Sequence, residues 1–421
     1  MEIKTNEEKK ERVLLAGVHT GCRDVLSDTT EESIAELAEL AATAGAQVTE
    51  CVIQNKADLE AGTYMGEGKL EEIKILVDEL DVDTVIFDDE LSPVQLRNIS
   101  YFLEVKVIDR TILILDIFAM HARSGEGKLQ VELAQLKYRL PRLRGLGTQL
   151  SRTGGGIGTR GPGETKLESD RRHINRRISA LEAEIKELKK HRDLLRSRRK
   201  KDGVITACLV GYTNAGKSSL LNCLTSAGVL AENKLFATLD TTSRGLTLED
   251  NRKIILIDTV GFIRKLPHHL VEAFKSTLEE TVTADFLIHV IDASNPQYSA
   301  HIEVVDRVLA DLGAVSKPTI GVYNKSDACT ETPVFNRQYE DNVFISAKNG
   351  SGIDELMKAI EETAPGKKKE IKIIVPYTEG ALVNELHEKQ KILQEEYKEN
   401  GTEIRLLADS EVYEKLKSYI I

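Results

Sequence analysis

Residues 204–218 read VITACLVGYTNAGKS, an apolar run of buried-strand length that breaks at Gly211 into a G-x-x-x-x-G-K-S pattern. No other feature constrains the fold as strongly, because this pattern has chemical meaning only where a strand turns into a helix. Leu220, Leu221 and Leu224 supply the apolar side of that helix. The loop consists of Gly211, Tyr212, Thr213, Asn214, Ala215, Gly216, Lys217 and Ser218, with Ser219 following. Its glycines let backbone N–H groups ring a phosphate chain. The Lys217 ammonium can reach the outer phosphates, and the Ser218 hydroxyl can bind Mg2+. Asn214 is a candidate ligand for a monovalent cation such as K+, or else makes a plain loop hydrogen bond.

Further strand-like runs each end in polar residues, in a fixed order. Lys253–Ile257 leads to Asp258, Thr259, Val260 and Gly261. Asp258 can hold Mg2+ through water, and the Gly261 N–H can sense a γ-phosphate. Phe286–Ile291 ends at Asp292, and Thr319–Tyr323 leads to Asn324, Lys325, Ser326 and Asp327. The two carboxylate oxygens of Asp327 match the N1–H and 2-amino donors of guanine, a pair that adenine lacks. Val343–Ile345 precedes Ser346, Ala347 and Lys348, whose backbone can contact guanine O6. Between the phosphate loop and Asp258 lie Leu235, Phe236, Ala237, Thr238, Leu239, Asp240, Thr241 and Thr242. One threonine here is expected to complete Mg2+ coordination in a switch loop, and spacing leaves Thr238, Thr241 and Thr242 open. Together these motifs predict a doubly wound P-loop domain over 202–365 that binds GTP and hydrolyses it to GDP and phosphate. Phe262 stands where many G proteins carry a water-positioning Gln, so slow intrinsic hydrolysis is expected.

The flanks predict three further units. Residues 1–121 alternate strand-like and helix-like patterns, which implies an α/β domain with a parallel sheet. Within it, residues 62–69 form a Gly-rich loop before a helix, either an anion site or a plain connection. Residues 122–201 carry leucine and isoleucine seams at 4-3-4 spacing, read as an antiparallel helical hairpin. Its connection, 141–166, has eight glycines, Arg142, Arg144, Arg152, Arg160 and Lys166, and no aromatic residue. Such a tip suits phosphate and shape contacts with RNA, or a disordered linker. Residues 366–421 predict a small C-terminal α+β domain with strands at Ile371–Val375 and Glu403–Ala408, a helix over Glu379–Glu399 and a second helix from Ser410.

Net charge is −11, but residues 137–201 hold 20 Lys/Arg against 7 Asp/Glu, about +13 on an otherwise acidic chain. Five scattered cysteines without C-x-x-C spacing argue against disulfide or zinc frameworks. No run reaches the ~20 apolar residues of a membrane helix. A cytoplasmic monomer without stable membrane insertion is expected.

The GPGETKLESDRR run, with GYTNAGKS, FATLD, DTVGF and NKSD, resembles the HflX family of bacterial GTPases, and the resemblance covers essentially the whole chain. It implies binding to the large ribosomal subunit and its ribosomal RNA, in rescuing or splitting stalled ribosomes under stress, with the ribosome stimulating GTP hydrolysis. It places the Mg2+-binding threonine at Thr238, so that Lys217, Thr238 and Gly261 are the expected catalytic groups. It also carries the 141–166 loop toward the peptidyl-transferase centre. Many family members have Pro where this chain has Thr241. The competing reading is a regulatory GTP switch that acts on a protein partner without the ribosome.

Overall fold

The computed structural model describes residues 10–21, 30–143, 162–225, 235, 236, 239, 241–250, 252–265, 275–329, 331–366, 369–398, 400–408 and 410–420. The first sheet takes β1 (Arg12–His19), β2 (Gln47–Asn55), β3 (Thr84–Phe87) and β4 (Lys106–Asp109) in the order β2-β1-β3-β4, all parallel. The Val13–Val18 run of β1 is buried throughout, as a strand covered on both faces must be. α1 (Thr30–Thr43) and α4 (Arg110–His121) cover one face; α2 (Glu67–Glu79) and α3 (Pro93–Leu103) cover the other. α3 starts where the sequence predicts, because Ser92 and Gln95 form a reciprocal capping box ahead of Pro93.

α5 (Gly125–Arg142) and α6 (Pro162–Lys201) pack as the predicted hairpin. Leu129, Leu133, Leu136 and Leu140 meet Ile174, Ile178, Leu181 and Ile185 along one seam. The ion pairs Glu126–Arg192 and Lys137–Glu182 run in opposite directions along the two helices, which makes them antiparallel. α6 begins earlier than the sequence suggests. Pro162 suits a first helical turn, so Lys166 lies inside the helix rather than in the connection. Past the seam, α6 keeps an ion pair with α5, Arg192–Glu126, and docks on α8 (Lys275–Thr283) through Lys189–Glu279 and Arg196–Glu280.

The second sheet has the order β10-β9-β8-β5-β7-β6. Its strands are β5 (Ile205–Val210), β6 (Thr242–Thr247), β7 (Lys253–Asp258), β8 (Phe286–Asp292), β9 (Thr319–Asn324) and β10 (Asp341–Phe344); only β6 runs antiparallel. α7 (Lys217–Thr225) and α10 (Ile353–Thr363) pack on one face. α8 and α9 (Tyr298–Asp311) pack on the other, and the core on that side is continuous with the α1/α4 side of the first sheet.

The C-terminal unit departs from the sequence reading. In place of one helix over 379–399, α11 (Gly380–Lys389) ends and β12 (Lys391–Lys398) pairs antiparallel with β13 (Gly401–Ala408), which also pairs with β11 (Lys369–Val375). The Glu- and Lys-rich stretch looked helical by composition, but pairing along β13 overrides a propensity worth only tenths of a kcal/mol per residue. α12 (Ser410–Leu416) closes the unit against Ile371, Ile373 and Val375.

Candidate nucleotide site

The candidate site lies where β5, β7 and β9 end, at the edge of the parallel sheet where α/β folds place ligands. Gly211 and Gly216 have φ of +151° and +96°. A Cβ on Gly211 would sit 2.2 Å from the Val290 carbonyl oxygen, and one on Gly216 2.3 Å from Asn324 Nδ2. Both positions therefore require glycine on two counts. Lys217 Nζ donates to the carbonyls of Gly211 and Tyr212 at 3.2 and 2.9 Å. Burial draws its ammonium down to about 8, against the pull of Asp258. The Ser218 hydroxyl donates to Asp258 Oδ2 at 2.6 Å, and the Thr259 hydroxyl donates to the Leu209 carbonyl at 2.7 Å.

Two connections join the phosphate loop to the segments around it. Asn324 Nδ2 donates to the Ala215 carbonyl at 2.9 Å, while its Oδ1 accepts from Ala347 N at 2.9 Å. One side chain thus links the phosphate loop to Ser346, Ala347 and Lys348. Ser346 Oγ in turn donates to Asp327 Oδ1 at 2.6 Å, which holds the Asp327 carboxyl below its usual range and orients it. Lys325 pairs with Asp292 at 2.6 Å. On the other side, Phe262 N donates to the Gly211 carbonyl at 3.1 Å and Thr213 N to the Phe262 carbonyl at 2.7 Å. The chain after Gly261 is stitched to the phosphate loop, and Phe262 is buried.

Of the FATLD segment, Phe236 and Leu239 are described and buried; Ala237, Thr238 and Asp240 lie outside the described residues. Phe236 N donates to Thr213 Oγ1 at 2.9 Å, and its ring meets Phe118 of α4 edge-on, with centroids 4.7 Å apart. Sequence reading missed the part of the site that comes from the first domain. Phe118, Glu36 and Asp88 are remote in sequence and carry no local motif. A hint was Arg110, a charged residue at the start of a largely apolar helix.

Arg142 donates to the Tyr138 and Leu91 carbonyls at 3.0 and 2.7 Å, pairs with Glu90 and stacks on the Tyr138 ring. Its guanidinium is engaged by these groups within the protein. Arg144, Arg152 and Arg160 lie outside the described residues. In the 62–69 loop, Tyr64 and Met65 are buried, Gly66 N donates to Gln54 Oε1 at 2.9 Å and Glu67 opens the helix. That arrangement ties the loop to β2 through Gln54.

A phosphate loop, an aspartate on the neighbouring strand and an Asn-Lys-x-Asp turn define a P-loop GTP hydrolase. Family models agree in segments: "GTP-binding GTPase N-terminal" matches residues 31–119, "GTP-binding GTPase Middle Region" 121–199, and "50S ribosome-binding GTPase" 206–325. The chain is 52% identical to GTPase HflX of Caldanaerobacter subterraneus over 98% of this chain and 94% of that one. It is 50% identical to GTPase HflX of Lacrimispora saccharolytica (97% and 96% covered) and 43% identical to that of Escherichia coli (89% of each). The protein belongs to the HflX family of GTPases.

Proposed function

We propose that this GTPase acts on the large ribosomal subunit in the cytoplasm, as a monomer, and that hydrolysis times its release while it splits or rescues stalled ribosomes under stress. The observation that carries this reading is the charge of the hairpin. Residues 137–201 hold 20 Lys/Arg against 7 Asp/Glu, and Arg171, Arg172 and Arg176 on α6 face solvent. A switch acting on a protein partner has no need of such a strand of positive charge, whereas ribosomal RNA does. The match of residues 206–325 to a ribosome-binding GTPase model supports the same partner.

In the nucleotide site, Gly211–Ser218 would cradle the phosphates, with Ser219 at the helix start. Asp327 would take guanine N1–H and the 2-amino group, and Ser346, Ala347 and Lys348 would line O6. Ser218 and Asp258 are hard oxygen donors already within 2.6 Å of each other, a donor set that suits Mg2+. Bound there, Mg2+ would neutralise charge on the β- and γ-phosphates. Thr238 is the proposed further ligand, and Asn214 the proposed contact to K+. Lys217 and the Gly261 amide would meet the charge that grows on the γ-phosphoryl oxygens.

The test is GTP turnover with and without purified large subunits across a salt series. Strong stimulation that weakens steeply with salt is expected, together with loss of stimulation when Arg144, Arg152 and Arg160 are replaced by alanine. No stimulation at any salt concentration would favour the protein-partner switch.

A further inference from the structure

Tyr212 belongs to the phosphate loop by its backbone, but its side chain points away from it. The ring is buried, stacked on His301 of α9 with centroids 3.8 Å apart and planes within 5°. Its hydroxyl donates to the Glu36 carboxylate of α1 and accepts from Arg264 N at 3.0 Å. Glu36 is shared with Arg110, which is fully buried and also pairs with Asp88 at 2.8 Å. The residues that follow Phe262 reach the same acidic edge of the first domain. Arg264 pairs with Glu32 at 3.8 Å and donates to Gln297 at 2.7 Å. Lys265 pairs with Asp88 and, at 2.7 Å, with Asp89.

We propose that Tyr212 is a positioning residue for the GTPase reaction. Its hydroxyl ties residues 262–265 to Glu36, and this tie holds the chain after Gly261 down on the phosphate loop. The backbone bonds Phe262 N to Gly211 O and Thr213 N to Phe262 O are the near end of the same arrangement. Gly261 lies hard against the loop, where an added Cβ would sit 2.7 Å from Thr213 Cα and 3.0 Å from Lys217 Nζ, so a γ-phosphate between Lys217 and the Gly261 amide requires this chain to rise and the Thr213 N–H to give up the Phe262 carbonyl. GDP makes no such demand, because it has no γ-phosphate. Tyr212 and Lys265 therefore set how strongly the site prefers GDP over GTP, with the first domain as the anchor. The proposal rests on the GTPase assignment alone and is independent of any ribosomal partner.

The experiment measures the affinities of GDP and of the slowly hydrolysed analogue GTPγS for the full-length protein without ribosomes. Tyr212→Phe keeps the ring and its stack on His301 but removes the hydroxyl. Losing one such hydrogen bond should raise the GTPγS-to-GDP affinity ratio about 5- to 10-fold. Lys265→Met, at an exposed position, should raise the ratio in the same direction and provides the measurement if Tyr212→Phe fails to fold. A merely structural lesion weakens both nucleotides together and leaves the ratio alone. Ratios within twofold of the parent in the folded variants, or a ratio that falls, would overturn the proposal.

Discussion

Replacing Asn324 by alanine tests the connection between the phosphate loop and the guanine-facing turn. Asn324 is 3% exposed and makes two hydrogen bonds of 2.9 Å, one to each segment. Alanine leaves the Ala215 carbonyl buried with no donor, at about 1–3 kcal/mol, and the half-buried Ala347 N–H short of its acceptor, at about 1 kcal/mol. A loss of roughly 2–4 kcal/mol corresponds to a Tm lower by about 5–15 °C for a domain of this size. The same loosening should weaken GDP binding by about tenfold or more, since each 1.4 kcal/mol is a factor of ten. Asn324→Asp should be no milder. It keeps the acceptor for Ala347 N but turns an oxygen toward the Ala215 carbonyl, where a donor is required. Thermal unfolding and a fluorescent-GDP titration read both effects. If Asn324→Ala keeps parental Tm and GDP affinity, the side chain does not join the two segments, and the reasoning fails.

Arg110→Met should cost about 3–5 kcal/mol, because it leaves the Glu36 and Asp88 carboxylates buried with their shared cation gone; denaturant unfolding of the full chain measures it. Leu181→Ala, at the fully buried centre of the hairpin seam, should cost about 2–4 kcal/mol and expose the basic hairpin to trypsin at concentrations that spare the parent. Burial holds His289 at about 3 and His301 at about 4, the latter with help from Arg264, so both stay neutral in the folded protein. The unfolded imidazoles take protons near 6.5, so the unfolded state binds more protons and stability falls as pH drops from 6.5 toward 4. His301 accounts for about 2–3 kcal/mol of that loss, and His301→Phe, which preserves the stack on Tyr212, should remove it.

What was legible in the sequence was local. The phosphate loop, Asp258–Gly261 and Asn324–Asp327 could be read because each is a short motif placed by the strand before it. The hairpin could be read because 4-3-4 spacing records its own packing partner. β12 was not legible, since Lys391–Lys398 lacks a strand-like alternation and becomes a strand only by pairing with β13. The neighbours of Tyr212 were not legible either. Glu36 and Asp88 acquire meaning only when α1 and β3 are carried against the nucleotide domain, and no pattern within either segment announces that contact. The partners of Arg142 were not legible for the same reason. As one of several arginines beside a glycine-rich run it looked free, and only the tertiary fold supplies Glu90 and the Tyr138 ring.

α6 has 40 residues in a single helix, roughly 60 Å from end to end at 1.5 Å per residue. Its middle, from Ile174 to Ile185, packs on α5, Arg192 pairs with Glu126 of α5, and Lys189 and Arg196 hold its C-terminal part to α8. A straight rod held in this way tilts as a unit. A tilt of roughly 10° about the α8 contact at Lys189 would move the Pro162 end by roughly 7 Å, and α5 would have to move with it. A small adjustment of the nucleotide domain that tilts α6 is therefore passed to α5 and to the first domain packed against it.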